Sequence, residues 1–178
     1  MKLIETSIKD LYIIEPKIFE DNRGYFFESY NKLKLEELGV KYNFIQDNQS
    51  KSSYGVIRGL HFQKSPHAQT KLVRVLEGSI IDVAVDIRKD SSTYGKWFGV
   101  ELSSENKRQL LIPAGFAHGF SVTSETAVVM YKCDEYYHPE CEGGILFNDT
   151  TLNIDWKIPH EKAIISDKDK LLPQFNSL

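Results

Sequence analysis

The feature that most restricts this chain is how its apolar residues are grouped. They fall in short β-branched and aromatic runs closed off by Gly, Pro, Asn, Asp and Ser, with a single stretch at helical spacing. Over residues 80–87, Ile81, Val83, Val85 and Ile87 alternate with Asp82 and Asp86, the period-two pattern of a strand with two unlike faces. Residues 71–76 form a second run, and Glu77-Gly78 between the two predicts a hairpin. Further strands are expected at 24–30, 44–48, 56–62, 97–102, 108–112 and 119–133, the last broken near Ser124-Glu125. With no parallel βαβ pattern, the count predicts an all-β jelly roll, as a barrel or a sandwich. In the helical stretch, 31–38, Leu33, Leu35 and Leu38 share a face, Asn31 can cap, and Gly39 lies just past the end. A short surface helix is expected there.

From Pro139 onward the chain becomes loop-rich, with Pro159, Pro173 and the polar run 166–170, a tail expected to wrap the sheet. No repeat, low-complexity tract or linker divides the sequence, so residues 1–178 read as one domain. Its 41% of hydrophobic residues suffices for a core at this length. The net charge of −3, with no dense basic run, offers no footprint for nucleic acid or a membrane surface, which points to a small-molecule partner. No stretch approaches bilayer length and residues 1–6 lack a signal-peptide core, so a cytoplasmic location is expected. Cys133 and Cys141, without a second pair, read as free thiols.

Three segments carry the chemistry. Val56-Ile57-Arg58-Gly59-Leu60-His61-Phe62-Gln63 is followed by Gln69-Thr70-Lys71-Leu72-Val73-Arg74, and later by Pro113-Ala114-Gly115-Phe116-Ala117-His118-Gly119-Phe120. Their spacing resembles the two cupin motifs, and the positions that ligate metal in metal-binding cupins read His61, Gln63, Lys71 and His118 here. An ammonium in place of a carboxylate repels a divalent cation, and Gln is a poor ligand for transition metals. The residues therefore predict a site without metal. Two His, an Arg and a Lys within strand-rich segments are also unusual for plain sheet surface, and a polar lumen accounts for them better.

With Asp21 to Glu28, Gln46-Asp47-Asn48-Gln49-Ser50, Tyr131-Lys132, Tyr137 and Ser166-Asp167-Lys168-Asp169 added, the chain resembles the dTDP-4-dehydrorhamnose 3,5-epimerase family over nearly its whole length. The resemblance implies a cupin-type jelly roll that epimerises a dTDP-linked 4-keto-6-deoxy sugar at C3 and C5 without cofactor or metal. It implies His61 as the base that removes the proton beside the ketone, with Asp169 as its carboxylate partner. An imidazole suits that task because its unperturbed pKa is about 6.5. Lys71 matches the group expected to stabilise the enolate oxygen, and Tyr131 the acid that reprotonates from the opposite face. Arg23 and Arg58 match diphosphate ligands, Phe26 and Tyr137 flank the base, and Glu28, Gln46, Asn48, His118, Glu142 and Lys168 match further substrate contacts. A homodimer is implied too, the neighbouring N-terminal region completing the pocket.

Small departures from the family pattern, Phe147 and Lys64-Ser65, touch none of these roles. Arg58 and His61, three residues apart, would face opposite ways on a regular strand, so a bulge at Gly59 is expected. The same dyad and tyrosine would also serve a mono-epimerase acting at C3 or C5 alone. Other readings are a ketoisomerase, which has a different sequence around its base, a metal-dependent cupin oxygenase, opposed by Gln63 and Lys71, and a non-catalytic sugar-nucleotide binder, which would not need both His61 and Tyr131.

Overall fold

The computed structural model describes residues 1–178. In chain order its main elements are β1 Lys2–Glu5, β2 Tyr12–Glu15, β3 Ile18–Asp21, β4 Gly24–Phe27, α1 Lys32–Glu37, β5 Gln46–Ser53, β6 Ile57–Gln63, β7 Lys71–Glu77 and β8 Ser79–Asp86. There follow β9 Trp97–Ser103, β10 Gln109–Ile112, β11 Phe116–Val122, β12 Thr126–Cys133, β13 Glu142–Gly144 and α2 Asp167–Lys170. Two antiparallel sheets face each other, one ordered β1-β2-β10-β7-β12-β5 and the other β13-β6-β11-β8-β9, while β3 and β4 pair only with one another. The expected jelly roll is thus a sandwich, not a closed barrel.

The hairpin expected between residues 71–76 and 80–87 does not form. β7 pairs with β10 and β12, and β8 pairs with β11 and β9. Only Gly78 separates β7 from β8, one residue fewer than the shortest common hairpin loop. At φ +77° it carries the chain from one sheet to the other, where a Cβ would collide with the Thr126 carbonyl and the Ser124 hydroxyl. Period two identified both strands but not their partners.

Other bounds shifted as well. The strand expected at 24–30 stops at Phe27, and the one expected at 44–48 runs instead through the polar Gln46–Ser53. Gln46–Ser53 is recruited by its ladder with β12 and not by apolar alternation. The helix is present, with the Asn31 side chain accepting from the Lys34 N–H and Gly39 at φ +88°.

Three apolar clusters hold these layers. Val73, Val75, Leu110, Ala127 and Val129 of one sheet meet Ile80, Ala84, Leu102, Phe120 and Val122 of the other. Leu35 of α1 covers Ile14, Leu72 and Leu111 on the outside of the six-stranded sheet. Val83 and Val85, the apolar face of β8, do not enter the space between the sheets. They pack with Ile145, Leu152, Trp156 and Phe175 of the C-terminal tail, which wraps the five-stranded sheet as expected. That arrangement turns the other face of β8, with Asp82, toward the lumen. Asp149 anchors the tail: its buried carboxylate accepts from the Thr151, Leu152 and Phe175 N–H groups at 2.8–2.9 Å.

Candidate active site

Between the sheets lies a cavity of about 610 Å³, walled by both. On β6 and β11, His61 and His118 stand opposite each other in the ladder, and the register then shifts before Phe120 meets Arg58. This is the irregularity expected at Gly59, and it brings Arg58 and His61 to one cavity. Gly59 has φ +117°, and a Cβ there would lie 2.6 Å from the Gly119 Cα and 2.7 Å from the His118 carbonyl oxygen. The Gly59 N–H is aimed instead at the tail, where it donates to Asp169 Oδ2 at 3.2 Å.

Asp169 reaches the site because the Ser166 hydroxyl caps α2, accepting the Asp169 N–H at 3.1 Å. Its carboxylate is buried, and Oδ1 lies 2.8 Å from His61 Nε2. A carboxylate only accepts, so Nε2 carries the hydrogen and Nδ1 of the neutral ring keeps the lone pair. A second imidazole–carboxylate pair, His118 Nε2 to Asp82 Oδ1 at 2.7 Å, is buried deeper in the same wall. Asp82 escaped the sequence reading, although the alternation on β8 held its signal: a polar residue opposite an apolar face that the tail covers.

The six-stranded sheet supplies the facing wall. Tyr131 on β12 stands opposite Asn48 on β5, and Cys133, two residues on, stands opposite Lys71 on β7, so Lys71, Tyr131 and Asn48 share the inner face. The Lys71 ammonium has no hydrogen-bond partner in the protein and lies 5.8 Å from the centroid of the Tyr131 ring. Burial pushes its pKa below the ordinary lysine value, against the pull of Cys133, Asp82 and Glu142. Burial also raises the Tyr131 phenol, and so does Cys133, with Arg58 acting the other way. The Cys133 thiol is pushed up to about 11 by burial and stays protonated beside Lys71.

Of the residues singled out in the sequence, Asn48, Arg58, His61, Lys71, His118, Tyr131, Lys168 and Asp169 line this cavity. Arg58 Nε donates to the Ser52 hydroxyl at 3.1 Å. At the rim, Lys168 holds Glu142 at 2.6 Å, and the Tyr137 hydroxyl donates to the same carboxylate at 3.0 Å. Gln46 stays outside the lining, donating to Asn48 Oδ1 at 3.1 Å. Glu28 is taken up by Lys34 and Asn31 at the start of α1. Arg23 and Phe26 stand away from the cavity on the β3–β4 hairpin, where Arg23 bonds only Asp21 and Phe26 is 67% exposed.

The residues at the cupin metal positions do not fit a divalent ion. Lys71 brings a cation, and Gln63 points out of the cavity toward the loops after β6 and β12.

The fold and this lumen define a class, a cupin-like jelly roll whose cavity is lined by imidazole, phenol, ammonium and guanidinium side chains. The model of the family described as dTDP-4-dehydrorhamnose 3,5-epimerase matches residues 5–177. A curated relative from Shigella flexneri with that name is 55% identical, covering 95% of this chain and 93% of the relative. The crystal structure of the enzyme of the same name from Elizabethkingia anophelis is 60% identical with a TM-score of 0.96, covering 99% of this chain and 97% of that one. A dTDP-6-deoxy-D-glucose-3,5-epimerase from Legionella pneumophila, solved with dTDP-4-keto-L-rhamnose, is 52% identical with a TM-score of 0.94, covering 98% and 93%. The chain belongs to the dTDP-4-dehydrorhamnose 3,5-epimerase family.

Proposed function

We propose that this chain, acting as one domain over residues 1–178, epimerises dTDP-4-dehydro-6-deoxy-glucose at C3 and C5 to dTDP-4-dehydro-rhamnose. The observation that carries this reading is an imidazole held by a buried carboxylate on one sheet, facing a phenol and an unpartnered ammonium on the other. In this reading His61 Nδ1 takes the proton from the carbon beside the C4 ketone. The C–H electrons pass to the carbonyl oxygen, and the enolate forms against the Lys71 ammonium. Asp169 stabilises the imidazolium and fixes its ring. Tyr131 then gives its hydroxyl proton to the opposite face of the same carbon, and proton exchange with water resets both groups before the second centre reacts.

The test is direct. Incubated in D2O with the 4-keto-6-deoxy-glucose nucleotide, the protein should give the rhamno product with deuterium at both C3 and C5 by NMR. Label and inversion at a single carbon would make it a mono-epimerase, and no exchange at all would sink the reading.

Because burial depresses Lys71, its charge should be lost below the ordinary lysine pKa of 10.5, while burial shifts the Tyr131 phenol in the opposite direction. The alkaline limb of kcat/KM, which reports the free enzyme, should therefore lie below 10.5, and Lys71→Arg should move it upward, since guanidinium keeps its charge. An unmoved limb in Lys71→Arg would remove Lys71 from the mechanism. The sign for stability follows from the same shift. Between the depressed folded pKa and 10.5 the unfolded chain binds more protons, so native stability should rise with pH across that window.

The β3–β4 hairpin supports a homodimer. It joins neither sheet, and Phe19, Tyr25 and Phe26 stand 52%, 58% and 67% exposed, a surface suited to closing the cavity of a second copy. Arg23→Ala should then raise KM well above any change in kcat, and light scattering should give twice the chain mass of 20.5 kDa. An active monomer would refute the arrangement. No helix is long and apolar enough to cross a membrane, and both cysteines are free, which supports the cytoplasmic reading.

A further inference from the structure

Outside the cavity, the loops that follow β6 and β12 meet around the Gln63 side chain. Its Nε2 donates to the His67 carbonyl at 2.6 Å and the Tyr136 carbonyl at 3.1 Å, and its Oε1 accepts the His138 N–H at 2.7 Å. Gln69 ties the same loops through the Glu135 carbonyl at 2.9 Å, and Thr70 N–H donates to Asp134 at 2.6 Å. Two backbones fixed this way bring the rings of His67 and His138 to a stack, 3.6 Å between centroids and 12° between planes.

The stack leaves ligating atoms unused. His67 Nδ1 is buried and has no hydrogen-bond partner. The nearest carboxylate oxygen, Glu135 Oε2, is 3.8 Å away, too far for a hydrogen bond. That distance does suit two ligands of a single ion, each bonded at roughly 2.0–2.2 Å. Glu135 Oε1 already accepts the Tyr136 N–H at 2.8 Å, which orients the carboxylate and leaves Oε2 free. His138 Nδ1 faces Glu140 Oε1 at 3.0 Å, so a neutral His138 carries its hydrogen on Nδ1 and its lone pair on Nε2. A carboxylate holding the far nitrogen is the usual support of a metal-bound imidazole. One atom each from His67, Glu135 and His138 lies within 4.8 Å of the others.

We propose that His67, Glu135 and His138 form a binding site for a borderline-soft divalent transition-metal ion, Zn(II) being the type case. Two imidazoles and one carboxylate match that class, and water takes the remaining position. Because an imidazole binds through a lone pair in its ring plane, the two stacked rings turn apart about their Cβ–Cγ bonds to converge on the ion, and Glu135 rotates to meet it. The ion clips the loop after β6 to the loop that carries Tyr137, and takes no part in proton transfer. This site stands on residues distinct from those of the cavity, so it does not rest on the proposed reaction.

The probe is Zn(II) added to chelator-stripped protein at neutral pH, followed by calorimetry, and by elemental analysis after dialysis. One ion per chain should bind. His67→Gln and His138→Gln should each weaken it about 10-fold or more, as loss of a ligand does, while exposed His160→Gln and cavity His61→Asn should leave it unchanged. Zn(II) should raise the Tm of the wild type but not that of the His67→Gln/His138→Gln double variant, whose metal-free Tm provides the folding control. Absence of saturable binding, binding retained by the double variant, or binding lost with His61→Asn would each overturn the proposal.

Discussion

His61→Asn should lower kcat by about 10²–10⁴, the usual contribution of a positioned general base, and should stop deuterium wash-in at both C3 and C5. Asn is the informative replacement because Asp169 is buried and loses a hydrogen-bond donor when the imidazole goes. An uncompensated buried carboxylate would destabilise the tail and confuse a catalytic loss with a folding one. The Asn amide can still donate to Asp169 Oδ1 while having no nitrogen able to take a proton. The Gly59 N–H continues to hold Oδ2, so Tm should stay close to that of the wild type. NMR in D2O reads the outcome, and exchange at wild-type rate in His61→Asn would end the mechanism.

Tyr131→Phe should separate proton removal from inversion. The ring packs against the core between the sheets, and Phe keeps that packing and the face presented to Lys71. Only the hydroxyl is lost, and burial holds that hydroxyl protonated in the wild type. Inversion should fall by about 10²-fold or more, while solvent exchange with retention persists, because the enolate still forms over Lys71 and its proton returns from the face of His61. If Tyr131→Phe inverted both centres near the wild-type rate, the acid would have to be sought elsewhere on the wall, and Tyr131 would be a packing residue.

Each variant reports on a different sheet, and that division reflects how the site is made. Strands near residues 71–76, 80–87, 97–102, 108–112 and 119–133, and the helix with its Asn31 cap, were legible because they depend on local pattern: side-chain period, β-branched content and cap chemistry. The chemistry of Gln63 and Lys71 is legible too, since an amide and an ammonium are poor partners for a divalent ion wherever the fold carries them. Even the break at Gly59 could be inferred, because two polar side chains three residues apart cannot share one face of a regular strand.

Pairing was not legible. Alternation along β8 is the same whether the strand turns back on β7 or crosses to the other sheet, and a single glycine, with the contacts around Thr126, decided for the crossing. Nor does alternation say which apolar face is the inner one. The tail settles that by covering Val83 and Val85, which puts Asp82 beside His118 in the lumen. The Asp169 contact with His61 spans 108 residues, and within its own segment Asp169 is only a polar residue in a short capped turn. The sequence by itself determined the side chains, their local conformations and the chemistry each can perform. Tertiary structure alone decided which of them meet, because contacts across sheets and between sheet and tail come from packing free energy summed over the whole chain, which no local window contains.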